Sequence, residues 1–289
     1  MAVDPEFPTS GALWLSYTHG TERASSVRVM RARLDAATHT LLDQQVIFES
    51  DPPAPGLEQL GGRLWLTPGG FLFLSLGDRF EPRRAQDLTD HAGSIIRIRA
   101  DGSVPDNNPF VALPGAKPEI WTYGHRNPQG LAEDPQTGQI WAVEHGPQGG
   151  DELNLVEGGR NYGWPVISYG LNYDGTPVGI SAGTAPGIEQ PAHVWGPSVA
   201  PSGLTVQREG ERALLWLGAL AGQSVVRLEL REDRVIGERR FLEGEIGRVR
   251  DVRRASDGFL YVITDDPEGW LYRLVPETEQ ALRLNRNPL

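Results

Sequence analysis

The sequence predicts an all-β fold assembled from repeated antiparallel units, and three observations lead there. With 35 glycines and 23 prolines in 289 residues, turns are frequent and long helices have little room. One template recurs: a turn, a strand of apolar-aromatic-apolar form, then a polar turn. It reads GALWLSYTHG from Gly11, GGFLFLSLGD from Gly69, GQIWAVEHGP from Gly138, ERALLWLGAL from Glu211 and DGFLYVITDD from Asp257, with its aromatic at Trp14, Phe73, Trp141, Trp216 and Tyr261. Each copy is followed by a second strand-like segment: SSVRVMRARL, GSIIRIRAD, DELNLV, QSVVRLEL and GWLYRLV.

Several copies are also preceded by one, as in GGRLWLTP, PQGLAEDP, PSGLTVQ and RVRDVRRAS. Units of three to four alternating strands joined by tight turns, repeated every few tens of residues, are the signature of a β-propeller. A β-sandwich or a meander with coincidental aromatics is the competing reading. About five units are present, and residues 1–289 read as a single propeller domain. SDPPAPG (Ser50 to Gly56) and GTPVGISAGTAPGIEQP (Gly175 to Pro191) read as inter-strand or inter-blade loops, and long loops in compact domains are often functional. The tail QALRLNRNPL is polar and reads as frayed.

The net charge of -11 argues against nucleic acid, which requires a basic face, and is compatible with cation binding. Without cysteine there is no disulfide framework, thiolate metal site or cysteine nucleophile. No run of about 18 apolar residues spans a membrane, and MAVDPEFPTS has neither the basic region nor the apolar core of a signal peptide.

Residues 123–164 concentrate the polar chemistry: Arg126 and Asn127, the turn His145-Gly146-Pro147, the pair Asp151 and Glu152, and the turn Asn161-Tyr162-Gly163-Trp164. Arginine presents a planar fork of donors to carboxylates and quinone oxygens. Carboxylates and exposed carbonyls suit a hard cation such as calcium. An anionic cofactor beside Ca²⁺ is one reading; a Gly-rich loop pair with Arg126 tying down turns is the other.

GHRNPQGL, EHGPxGGDE and NYGWP, in this order, together with GGRL at Gly61, DNNPF at Asp106 and RVRDV at Arg248, resemble the soluble PQQ-dependent sugar dehydrogenases, the glucose/sorbosone dehydrogenase family. The resemblance covers nearly the whole chain. It implies a six-bladed propeller, of which about five blades are present, with PQQ and Ca²⁺ as cofactors. It implies a small aldose substrate, an external electron acceptor, a periplasmic or extracellular location, and a monomer or homodimer.

Position by position, the resemblance assigns Arg126 and Asn127 to the quinone edge of PQQ. Gly146 and Pro147 supply carbonyls to the PQQ-linked calcium, and Glu152 and Tyr162 match a second calcium site. Arg248 and Arg250, placed on one strand face by alternation, match a pair that binds PQQ carboxylates. Tyr173 falls near the cofactor. His125 and His145 are not the family's base, and His125 reads as packing only.

Three departures stand out. The family's base histidine, two residues before GGRL, is Gln59 here, and a neutral amide cannot take the sugar proton. Glu58 points to the opposite face if the segment is extended. Asp78 matches the acid that orients that histidine and is expected to lack its partner. A cofactor-contacting lysine of the family falls near Ala221. The match begins at the end of the family's first blade, which is consistent with a misassigned start or with a degenerate relative. The expected activity is oxidation of aldoses to lactones by hydride transfer to PQQ. The alternative is a non-catalytic propeller that binds a sugar, calcium or a protein.

Overall fold

The computed structural model describes residues 1–278 and 281–287. It contains five four-stranded antiparallel sheets, the five blades of a β-propeller. Blade 1 is built from Ala2–Val3, Ala12–Thr21, Ala24–Asp35 and Thr40–Glu49. Blade 2 is built from Gly61–Leu66, Phe71–Leu76, Ser94–Arg99 and Ile120–Tyr123. Blade 3 takes Pro128–Glu133, Ile140–Glu144, Asp151–Val156 and His193–Trp195. Blade 4 is Pro201–Glu209, Arg212–Ala219, Ser224–Arg231 and Arg234–Phe241. Blade 5 is Val249–Arg254, Leu260–Thr264, Leu271–Thr278 and Ala281–Asn287.

The chain clusters into two compact units. Unit 1 comprises Met1–Pro128, Glu157–Ile167 and Thr184–Glu189, and unit 2 comprises Gln129–Val156, Ser168–Gly183 and Gln190–Leu289. Blades 1 and 2 lie in unit 1; blades 3 to 5, apart from Pro128, lie in unit 2.

All five template aromatics fall on the second strand of their blade. Trp14, Phe73, Trp141 and Trp216 are buried there, while Tyr261 is half-buried and donates its hydroxyl to Asp257 at 3.0 Å. In unit 1, Trp14, Val29, Phe48, Leu64, Leu72, Leu74, Ile96 and Ile98 form a continuous core. Full burial of each such side chain contributes about 1.5–3 kcal/mol. Ile95, Ile96 and Ile98 are all fully buried, so the third strand of blade 2 is covered on both faces. Arg97 is tolerated between them because its guanidinium sits 4.0 Å from the Trp121 ring and 4.8 Å from Phe71, and donates to Asn108 Oδ1 at 2.8 Å. The DNNPF segment is thus a structural clamp on Arg97.

The first loop expectation holds: Ser50 to Gly56 joins blade 1 to blade 2. Gly175 to Pro191 lies inside the long connection between the third and fourth strands of blade 3, but it is not all loop, since it contains the short strand Ser181–Ala182. The tail is corrected: Ala281–Asn287 is not frayed but pairs antiparallel with Leu271–Thr278 as the outer strand of blade 5. Alternation explains it, because Leu282 and Leu284 pack on the core of blades 4 and 5 while the intervening positions are polar. Gln280, Pro288 and Leu289 lie outside the described residues.

Candidate active site

In unit 1 the segment before GGRL is bent, not extended. Glu58 folds back so that its carboxylate accepts the Leu57 N–H at 2.9 Å, and Gln59 adopts a left-handed φ of 45°. Strand alternation therefore does not apply to Glu58. The bend is anchored by Arg79, whose guanidinium donates to the carbonyls of Ser25, Gly56 and Glu58 and to Ser25 Oγ. Burial lowers the pKa of Arg79, yet it remains a cation held by these oxygens. Nothing in the local sequence marks it, since its partners lie 21 to 54 residues away.

Gly77 lets the bend approach the next strand. A Cβ there would stand 2.1 Å from the Gln59 carbonyl oxygen and 3.0 Å from Asn127 Oδ1. Asn127 Oδ1 also accepts the Gly61 N–H at 3.3 Å, so Gln59, Gly77 and Asn127 sit together. The side-chain Oε1 of Gln59 is buried and has no hydrogen-bond partner among the described residues.

Asp78 is fully buried and, although no histidine faces it from position 59, its carboxylate is hydrogen-bonded. Its Oδ2 accepts the Trp164 Nε1–H at 2.7 Å and its Oδ1 accepts the Phe80 N–H at 3.0 Å. Its own N–H donates to the Arg126 carbonyl at 2.9 Å. The indole is thus a donor to this buried carboxylate. The same Trp164 ring lies 5.4 Å from the Arg126 guanidinium, a cation–π contact that positions the arginine. The turn carrying Trp164 is clamped by Gln86, whose Nε2 donates to the Trp164 carbonyl at 2.7 Å and to Asn161 Oδ1 at 3.0 Å.

His125 is fully buried, 2.9 Å from Thr122 Oγ1 and stacked on Tyr162 at 4.5 Å, in keeping with a packing role. The Tyr162 hydroxyl accepts the Glu157 N–H at 2.9 Å.

In unit 2, Glu144 and Glu152 are directly opposed across the second and third strands of blade 3. Like charges in that position repel. Asn154 bridges them, its Nδ2 donating to Glu144 Oε1 at 2.9 Å and to Glu152 Oε2 at 3.1 Å, while its Oδ1 is buried and has no partner among the described residues. Burial, then the Glu144 charge, pushes the Glu152 carboxyl up to about 8. Burial and the Glu152 charge also raise the pKa of the Tyr169 phenol.

Asp151, beside this pair, is fully buried. Its Oδ1 accepts the Gly146 N–H at 2.9 Å; its Oδ2 accepts the N–H groups of Val199 and Ala200 at 2.8 and 2.7 Å and the Ser198 hydroxyl. It fixes the turn that carries Pro147. Gly146 is crowded by carbonyls: a Cβ would stand 2.3 Å from the oxygens of both Gly149 and Gly150. His145 is engaged structurally, with Nε2 2.8 Å from the Pro201 carbonyl. Among the described residues no three His, Asp or Glu side chains converge.

Arg248 and Arg250 both reach Asp265, at 3.0 and 2.9 Å, and the strand pairing shifts register between Val249 and Asp251. Although burial opposes it, the two guanidiniums hold the Asp265 carboxyl below its usual range. Their side chains are half-exposed, leaving N–H groups for a further anion. Tyr173 is 74% exposed on a turn closed by Asn172 and Thr176. Ala221 lies exposed on the turn between the second and third strands of blade 4.

Residues 1–273 match the family described as Glucose / Sorbosone dehydrogenase. The chain is 42% identical over 290 residues to an uncharacterized protein, slr1608, of Synechocystis, covering 95% of this chain and 69% of that one. It is 37% identical to the aldose sugar dehydrogenase YliI of Escherichia coli, covering 96% of this chain and 76% of that protein. Among solved structures, a glucose dehydrogenase superposes with TM-score 0.90 at 39% identity, covering 96% of this chain and 82% of that one. The PQQ-bound form of the aldose sugar dehydrogenase from Streptomyces coelicolor superposes with TM-score 0.73 at 25% identity, covering 99% and 77%.

Proposed function

The chain belongs to the glucose/sorbosone dehydrogenase family, and from that premise we propose that it oxidises aldose sugars at the anomeric hydroxyl to lactones, using PQQ and Ca²⁺. In this reading the anomeric C–H would leave as hydride, the hydroxyl proton would pass to solvent water, and the new C=O would be the lactone carbonyl. When bound, PQQ supplies the hydride acceptor and calcium the Lewis acid that polarises it. The single observation that carries the reading is the Asp78–Trp164–Arg126 chain of contacts beside Gln59 and Asn127.

The residues fit that group chemically. Arg126, nearly buried and oriented by Trp164, offers fixed positive charge to developing negative charge, an oxyanion-hole type of stabilisation. Asn127 adds an amide next to it. Arg248 and Arg250, tied to Asp265, offer donors to the carboxylates of PQQ, and Tyr173 is assigned a looser place near it. The Gly146-Pro147 turn, braced by Asp151, offers carbonyls to the first calcium. Glu152 and Tyr162 would serve the second. Gln59 Oε1, buried and unpartnered, can accept a hydrogen bond from the sugar hydroxyl and orient it, but cannot take its proton.

Gln59 also favours a second reading, in which the scaffold binds a sugar, calcium or a protein without turnover. By family resemblance the proposed setting is periplasmic or extracellular, as a monomer or homodimer with an external electron acceptor. Among the described residues no helix is long and apolar enough to cross a membrane. The test is reconstitution with PQQ and Ca²⁺, followed by dye reduction with glucose and related aldoses. Turnover supports the dehydrogenase; PQQ binding without turnover supports the second reading.

A further inference from the structure

Blades 4 and 5 of unit 2 enclose a cavity of about 420 Å³. That volume is in the range of small-molecule sites, roughly 300–1,000 Å³. Its floor is apolar, formed by Leu214, Trp216, Phe241, Leu260 and Leu274. The register of blade 4 sets Trp216, Arg227 and Arg239 directly opposite one another on successive strands, so their side chains share one face, and all three line the cavity.

Arg227 carries the argument. Its guanidinium lies 5.4 Å from the Trp216 ring and 5.6 Å from Phe241, so two aromatic faces hold the cation in place. Neither ring offers its N–H groups an acceptor, and among the described residues Arg227 makes no hydrogen bond or ion pair. The acids lining the cavity are engaged elsewhere. Glu209 and Glu229 pair with Arg212 at 3.1 and 3.3 Å, and Asp257 pairs with Arg273 at 3.3 Å and accepts the Tyr261 hydroxyl. Arg239, directly opposite Arg227 on the neighbouring strand, adds a second guanidinium to the same wall.

We propose that this cavity binds a small monocarboxylate with a flat apolar or aromatic body. The carboxylate sits on the forked donors of Arg227, with Arg239 alongside. The body covers the leucine floor. This site is independent of the proposed dehydrogenase chemistry, and no residue assigned to that chemistry lines it.

The test uses the full chain and two probes, 4-phenylbutyrate and its neutral amide, titrated by calorimetry. The carboxylate is expected to bind saturably at one per chain, and the amide at least about tenfold more weakly, the margin of a charge-assisted hydrogen bond. Arg227→Gln is expected to weaken the carboxylate about tenfold or more while leaving the amide unchanged. Failure of the carboxylate to saturate the wild type would overturn the proposal, as would equal binding of the two probes. The probe comparison needs no variant, so it decides the matter even if Arg227→Gln folds poorly.

Discussion

Trp164 donates its indole N–H to the fully buried carboxylate of Asp78 at 2.7 Å, across 86 residues of sequence. The bond joins the GGRL blade to the aromatic turn that positions Arg126. It gives Asp78 a structural partner even though Gln59 occupies the expected histidine position.

Trp164→Phe removes the donor and leaves buried Asp78 under-satisfied, and Asp78→Ala strands the indole N–H. Each is expected to cost about 1–3 kcal/mol in denaturant unfolding. The double variant should cost less than the sum, with a coupling of about 0.5–3 kcal/mol. Strict additivity would contradict the contact.

Glu152 makes stability depend on pH in a defined direction. Its carboxyl is raised from its ordinary 4.5 to about 8, so the folded state holds a proton that the unfolded state releases. Its favourable contribution is complete below about 4.5 and is lost as pH rises through about 8. Glu152→Gln, which mimics the protonated form, should flatten thermal stability over that window. Calcium should replace the proton, raising the melting temperature more at pH 8 than at pH 5 in the wild type and less in the variant. An unchanged pH profile in the variant would contradict the assignment.

Asp151→Ala leaves the N–H groups of Gly146, Val199 and Ala200 without their acceptor. Stranded buried donors cost about 1–3 kcal/mol each, so a loss of about 3 kcal/mol or more is expected by urea denaturation. Asp151→Asn keeps an acceptor oxygen and should lose less. Wild-type stability in both would show that the turn is not braced there.

Gln59→His restores a titratable base at the bend. With PQQ and calcium supplied, kcat for glucose is expected to rise about 10²- to 10⁴-fold, the usual gain from general-base assistance. An unchanged rate with PQQ bound would contradict the assignment of this position.

The first three strands of most blades were legible because alternation and a central aromatic mark them. The outer strands were not. Thr40–Glu49 and Arg234–Phe241 are largely exposed and mix apolar with polar residues without strict alternation, so their pairing rests mainly on main-chain bonds. Arg126, Asn127 and Asp78 stand in contiguous motifs and could be found. Trp164 and Arg79 act across distant segments, which spacing does not encode. The opposed pair Glu144 and Glu152 was recoverable, because a short connection between two strands places their ends face to face.

The most direct measurement is a titration of the chain with PQQ in the presence and absence of Ca²⁺, followed by tryptophan fluorescence. The dehydrogenase reading predicts saturable binding of one PQQ per chain that requires calcium and weakens when Arg126 is replaced by Ala. No saturable binding with calcium present would contradict it.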